Sequence, residues 1–134
     1  MIFRINFLDE SFQIAKDITS HDPVKGHAVF YALVCLSPSS YGFWIGLGTC
    51  AFLNQDILEA SAVFCMMTEL FPNQQDPYIL AAQAFNKAQD YEKEKFVLKE
   101  FLQKFDGVHT TSKEFLEYGK NRVQSLQRQL TSHQ

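Results

Sequence analysis

Between Lys25 and Asp56 the chain carries no charged side chain at all. Such a gap raises the question of a membrane. Its longest apolar pieces, residues 28–36 and 41–53, are parted by Ser37-Pro38-Ser39-Ser40, and neither reaches the ~18 residues that a spanning helix needs. No membrane insertion is expected. Near the N-terminus Arg4, Asp9 and Glu10 stand among apolar residues and no small-residue cleavage site follows, so a secretory signal is not expected either, and the protein should stay in the compartment where it is made.

Cysteine is scarce, with Cys35, Cys50 and Cys65 forming no CxxC pair and being too few for a disulfide framework. All three fall in apolar runs and are expected to be buried, reduced thiols in a cytosol. A nucleophilic thiol would need an electropositive neighbourhood, which the charge gap denies Cys35 and Cys50. The four histidines, His21, His27, His109 and His133, show neither i, i+4 pairing nor a cysteine at zinc spacing, so no metal is expected. His27, near the start of a helix, reads as a surface or partly buried imidazole. Gly46-Leu47-Gly48 is a fragment of a phosphate-binding pattern without a preceding strand, and close helix packing explains it better. Asp9 and Glu10 suit the N-terminal end of a helix rather than acid–base work. Neither an enzyme nor a cofactor is expected.

What remains is a chain of 134 residues, 46% apolar, with a formal charge of −3. That describes one soluble globular domain, and excludes a polybasic nucleic-acid binder and a disordered tail.

One spacing organises it. Phe30, Phe64 and Leu98 recur every 34 residues, as do Asp22, Asp56 and Asp90. Leu33, Met67 and Phe101 follow the same offset; so do Gly26 with Ala60, Pro38 with Pro72, Trp44 with Tyr78, Leu47 with Ala81, Gly48 with Ala82, and Gln55 with Gln89. This period belongs to stacked helical hairpins, each of which covers its apolar face only by packing on the next.

The apolar stripes and breakers predict seven helices. The first runs from about Leu8 to Thr19; the second follows the cap Asp22 and Pro23 and ends near Leu36. The third covers about 40–53, the fourth starts at Asp56 and stops before Pro72, the fifth covers 77–88, and the sixth starts at Asp90. Each interior aspartate is read as an N-cap. Over residues 110–131 Thr111 and Glu114 offer a capping box ahead of the stripe Leu116, Val123, Leu126 and Leu130, which predicts an amphipathic end helix.

Taken together, Trp44, Leu47, Gly48, Ala60, Phe64 and Pro72 resemble the tetratricopeptide repeat. The expectation is an all-α tetratricopeptide-repeat solenoid of about three hairpins plus a C-terminal capping helix. It forms a single domain over 1–134, with repeats at about 7–40, 41–74 and 75–108 and the cap at about 110–131. The second repeat matches best. In the third, Glu94 replaces the small residue and Asp106 the proline. In the first, the stripe is offset by two residues, which implies a longer loop around Ser20 and His21.

A narrower resemblance lies in residues 28–38, a helix ending Leu36-Ser37-Pro38, followed by Phe43-Trp44-Ile45-Gly46-Leu47-Gly48-Thr49-Cys50. This is similar to the class II, translocator-type tetratricopeptide chaperones of bacterial type III secretion. The resemblance covers about residues 24–105 and implies a cytoplasmic, non-enzymatic protein that holds a secretion substrate, translocator-like, before export. It also implies a homodimer; the N-terminal extension associated with such dimers is expected to be only partly present here. The alternatives within the repeat class are a co-chaperone of a needle subunit, in a heterodimer with a small helical protein and gripping a helix, and a regulatory or assembly adaptor.

If Trp44, Leu47, Gly48 and Ala51 pack inward, then Gly42, Ile45, Thr49 and Phe52 face a concave groove. In the next repeat, packing by Tyr78, Ala81, Ala82 and Phe85 leaves Asp76, Ile79, Gln83 and Asn86 there. These eight residues are the expected partner-binding surface, apolar at one end and polar at the other, suited to a peptide or helix of the substrate. The competing reading makes Ile45 and Phe52 core residues under a terminal helix. A clamp for acidic C-terminal tails is not expected, because Lys87 alone cannot supply it.

Overall fold

The computed structural model describes residues 2–131, with side chains from Asp9 onward. Arg4 and Leu8 therefore have no described side chain, and His133 lies outside the described residues. Within them there are seven helices and no strand: α1 Ile2–His21, α2 Pro23–Leu36, α3 Tyr41–Leu53, α4 Ile57–Leu70, α5 Asp76–Lys87, α6 Tyr91–Phe105 and α7 Lys113–Thr131. No described helix is long and apolar enough to cross a membrane. The chain divides into two compact units after Val63, inside α4.

The helix starts follow from local chemistry. Asp22 accepts from the N–H groups of Val24 and Lys25 at 3.1 and 3.2 Å, Asp56 from Glu59 at 3.2 Å, and Asp90 from Lys93 at 3.3 Å. Each carboxylate satisfies donors that a first helical turn leaves free and complements the positive end of the helix dipole. For α7 the expected cap is wrong by one residue. The Ser112 hydroxyl accepts from Phe115 N–H at 3.3 Å, while Thr111 is buried and donates to the Phe105 carbonyl at 2.8 Å. Thr111 thereby ties the preceding turn to the end of α6.

In the first unit α1, α2 and the start of α4 are joined through small residues and polar clasps. A Cβ at Gly26 would come within 2.9 Å of the Thr19 Cα, so only glycine allows α1 and α2 this approach. The longer loop expected around Ser20 and His21 does not exist: both residues are helical, and Asp22 alone separates α1 from α2. Asn54 donates to the Pro23 carbonyl at 3.0 Å, and His27 Nε2 lies 2.9 Å from Glu59 Oε1, both half-buried.

In the second unit α5, α6 and α7 pack on Tyr78, Ala81, Ala82, Phe85, Leu98, Phe101 and Leu126. Glu94, which stands where the repeat calls for a small residue, is fully buried. Its carboxylate receives Arg122 Nε at 2.8 Å and Nη2 at 3.2 Å from α7, and Asn86 Nδ2 at 3.2 Å from α5. A buried carboxylate is tolerated only when paired and hydrogen-bonded in this way. The Glu94 bond pushes Arg122 further up, and burial, then Glu94, raises the neighbouring Tyr118 phenol.

The cysteines are free but unlike one another. Cys50 is buried as expected, Cys65 is half-buried and Cys35 is exposed. The correction for Cys35 has a simple cause. Helix α2 buries only the face bearing Gly26, Phe30, Leu33 and Val34, and Cys35 lies outside it.

Candidate functional site

The apolar helices of the first unit leave a hollow of about 470 Å³. One wall is the α1 face that carries Phe12, Lys16, Thr19 and Ser20, spaced so that all four fall on one side of a helix. The opposite wall is α3, with Gly42, Ile45, Gly46, Thr49 and Leu53, and Phe30 of α2 closes the floor. Aromatic packing holds the walls. Phe12 meets Phe30 edge-on at 6.1 Å between ring centroids and Phe43 at 6.2 Å.

Two glycines let these rings approach α3. A Cβ at Gly46 would stand 2.2 Å from Phe30 Cε1, an impossible contact, and one at Gly42 would stand 3.2 Å from Phe12 Cε2. The Gly46-Leu47-Gly48 segment lies within α3, and at Gly46 the packing reason is explicit. Lys16 Nζ rests 5.2 Å from the centre of the Phe12 ring, a cation–π contact at the rim. The Thr19 hydroxyl donates to the Ala15 carbonyl at 2.8 Å and lies 3.4 Å from Cys50 Sγ. Burial pushes the Cys50 thiol up, partly offset by the Thr19 bond, which makes it a packing group rather than a nucleophile.

Of the expected groove residues, Gly42, Ile45 and Thr49 line this hollow. Phe52 is half-buried and does not; Leu53, 51% exposed, takes its place. In the second unit Asp76, Gln83 and Asn86 are exposed on α5, with the Asn86 amide donating to Glu94. Ile79 is only 5% exposed and belongs to the core; Leu80, half-buried, lies on the open side instead. On α5 the open stripe thus steps by four residues at its second position, through Leu80, and on α3 at its last, from Thr49 to Leu53, where steps of three were expected. Either step fits a period of 3.6, and packing against α2 and α6 decides between them. None of the four α5 residues lines the second unit's depression of about 290 Å³, which lies between α4, α5 and α6 around Cys65, Tyr78, Phe85 and Phe96.

The α1 wall was missing from the sequence-derived surface. Its only signal was the spacing of Phe12, Lys16 and Thr19, which coincides with an ordinary amphipathic stripe. Trp44, expected to pack inward, is half-exposed and donates from Nε1 to the Pro38 carbonyl at 2.7 Å, bracing the turn into α3.

No protein-family model matches the chain, and no curated protein sequence matches it. Solved structures do. SycD, the type III secretion translocator chaperone of Yersinia enterocolitica, aligns with a TM-score of 0.80 at 16% identity, over 94% of this chain and 87% of its own. PcrH from Pseudomonas aeruginosa aligns with a TM-score of 0.78 at 11% identity, over 91% and 92%. The TPR2B domain of yeast Sti1, solved in a complex with pHsp70, gives 0.74 at 17% identity, over 91% and 97%. SycD has also been solved with a peptide of the translocator YopD, and PcrH with the chaperone binding region of PopD. These likenesses establish the fold as an all-α tetratricopeptide-repeat arrangement, with α7 following the last hairpin.

Proposed function

We propose that this chain is a non-enzymatic chaperone of bacterial type III secretion, cytoplasmic and working as a single tetratricopeptide-repeat domain over 1–134. It holds a translocator-like segment of a secretion substrate until export. The observation that carries this reading is the open apolar hollow between α1, α2 and α3, in a fold shared with SycD, solved with a peptide of the translocator YopD, and PcrH, solved with the chaperone binding region of PopD. A leucine-sized side chain entering such a hollow from water gains about 1.5–3 kcal/mol. That is enough to hold an unfolded segment at several points and weak enough to release it. Gly42, Ile45 and Thr49 supply the apolar contact, joined by Leu53 and the α1 wall. Asp76, Gln83 and Asn86 offer a polar contact surface on α5.

Holding requires no bond to form or break. Co-expression with candidate translocators tests the reading through the soluble fraction of the substrate. Ile45→Asp and Leu53→Asp should each lose the solubilising effect while keeping wild-type helicity by circular dichroism. Folded variants that solubilise as well as wild type would sink the assignment.

A further inference from the structure

We infer that the hollow reads a carboxylate beside its apolar anchor: the occupant is a peptide carrying a large apolar side chain with an Asp or Glu within about three residues, paired to Lys16. This rests on the proposed function and specifies the substrate class of the same site. Among the described residues Lys16 is the only charged side chain lining the hollow. Its ammonium is positioned on the Phe12 ring, and it pairs with no carboxylate among the described residues. The adjacent Asp17 lies 3.9 Å from His21.

Other donors on the α1 wall are committed. The Thr19 hydroxyl donates to the Ala15 carbonyl, and the Ser20 hydroxyl to the Asp17 carbonyl at 2.6 Å. An incoming anion at this wall therefore meets one free donor, and that donor is cationic. Lys16 is itself exposed, so the pair is a surface ion pair worth at most about 1 kcal/mol, made beside the apolar lining of Phe12, Phe30 and Ile45. With a formal charge of −3 over the whole chain, Lys16 gives the hollow a sign opposite to that of the protein. An acidic neighbour is thereby favoured over a neutral or basic one.

An array of soluble peptides tests this. Each carries one Leu, Met or Phe in a Ser/Gly background, with Asp, Asn or Lys one to three positions away, and binding to the full chain is read by fluorescence anisotropy. The Asp peptides should bind about fivefold more tightly than their Asn counterparts at low salt, and Lys peptides more weakly than both. About 0.5 M salt should erase the difference. Lys16→Gln should remove the preference while leaving dependence on the apolar anchor, and Lys16→Glu should transfer it to the Lys peptides. Apolar-anchor binding that ignores the neighbouring charge overturns the role of Lys16 and leaves the chaperone reading standing. Failure of every apolar-anchor peptide to bind the wild type overturns this inference, and the chaperone reading falls with it if co-expressed translocators also stay insoluble.

Discussion

Gln55 and Gln89, 34 residues apart, both hold left-handed backbone, with φ of 65° and 59°. The turns they make are copies of one another. After each, an aspartate N–H reaches back over the helix end, Asp56 to the Ala51 carbonyl and Asp90 to that of Phe85, each at 2.9 Å. Gln55 and Gln89 also donate to the Phe52 and Asn86 carbonyls, at 3.1 and 3.0 Å. The same aspartate then caps the next helix, so one residue closes the first helix of the hairpin and opens the second.

A side chain in this conformation is strained, whereas glycine is not. Gln55→Gly and Gln89→Gly should each stabilise the protein by about 0.5–1 kcal/mol in urea unfolding, after allowing for glycine's larger entropy in the unfolded chain. Gln89→Val should destabilise by about 1–2 kcal/mol, because a β-branched side chain fits this region worst. Equal stabilities for the three residues at position 89 would show that the turn does not need this backbone.

The Glu94–Arg122 pair joins α6 to α7 from inside the second unit. Removing only the guanidinium leaves a carboxylate buried without its charge partner, so Arg122→Met should cost about 3–5 kcal/mol. Glu94→Ala restores the small residue that Gly26 and Ala60 supply in the preceding repeats, and it should cost less, because Arg122 keeps some access to water. In the double variant Glu94→Ala/Arg122→Met the loss should fall below that of Arg122→Met alone. A double-mutant cycle from denaturant midpoints measures the coupling, and additive losses would contradict a direct pair.

Thiol reactivity should follow the exposures of the three cysteines. Cys35 is exposed and should react first with an aromatic disulfide reagent at neutral pH. Burial, and for Cys65 also the Glu100 carboxylate, raises the other two thiols. A raised thiol forms its nucleophilic thiolate only at higher pH, so labelling of Cys65 and Cys50 should lag at pH 7 and gain ground as pH rises past about 9. Cys50, fully enclosed, should lag most. Mass spectrometry of peptides from timed quenches gives the order, and simultaneous labelling of Cys50 and Cys35 in folded protein would contradict it.

Much of the fold was legible because its signals are local. A carboxylate before a helix binds donors two and three residues away, so Asp22, Asp56 and Asp90 announce their helices without reference to tertiary structure. The 34-residue columns of Phe30, Phe64 and Leu98 and of Leu33, Met67 and Phe101 likewise mark buried residues, while in the Trp44 and Tyr78 column only Tyr78 is buried. The lining of the hollow was legible only in part. Gly42, Ile45 and Thr49 lie on one helix, where spacing is informative, but the spacing of Phe12, Lys16 and Thr19 on the opposing wall does not say which helix that stripe faces. Glu94 was visible as a departure from the repeat, yet nothing near it pointed to Arg122 on another helix. Ile79 failed for a geometric reason: steps of three and four are equally helical, and only the neighbouring helix selects one.

Gly46 and Gly42 separate packing from binding on the same helix. In a helix interior alanine is the better helix former by about 1 kcal/mol, so Gly46→Ala begins with that gain and Gly42→Ala, at the second residue of α3, with a smaller one. At position 46 the new methyl would overlap Phe30, whose ring is 2% exposed and held against Phe12. Overpacking of this kind costs about 1–3 kcal/mol, and Gly46→Ala should be destabilised overall. Phe30→Leu should relieve part of that loss in the double variant. At position 42 the methyl would meet the edge of the half-buried Phe12 ring at 3.2 Å, a contact that a few tenths of an ångström relieve. Gly42→Ala should therefore unfold at or above the wild-type urea midpoint, read by the fluorescence of the sole tryptophan, Trp44. Because the added methyl narrows the hollow, the same variant should bind apolar-anchor peptides more weakly. If Gly42→Ala keeps both stability and peptide affinity, the α3 wall at that position does not contact the occupant.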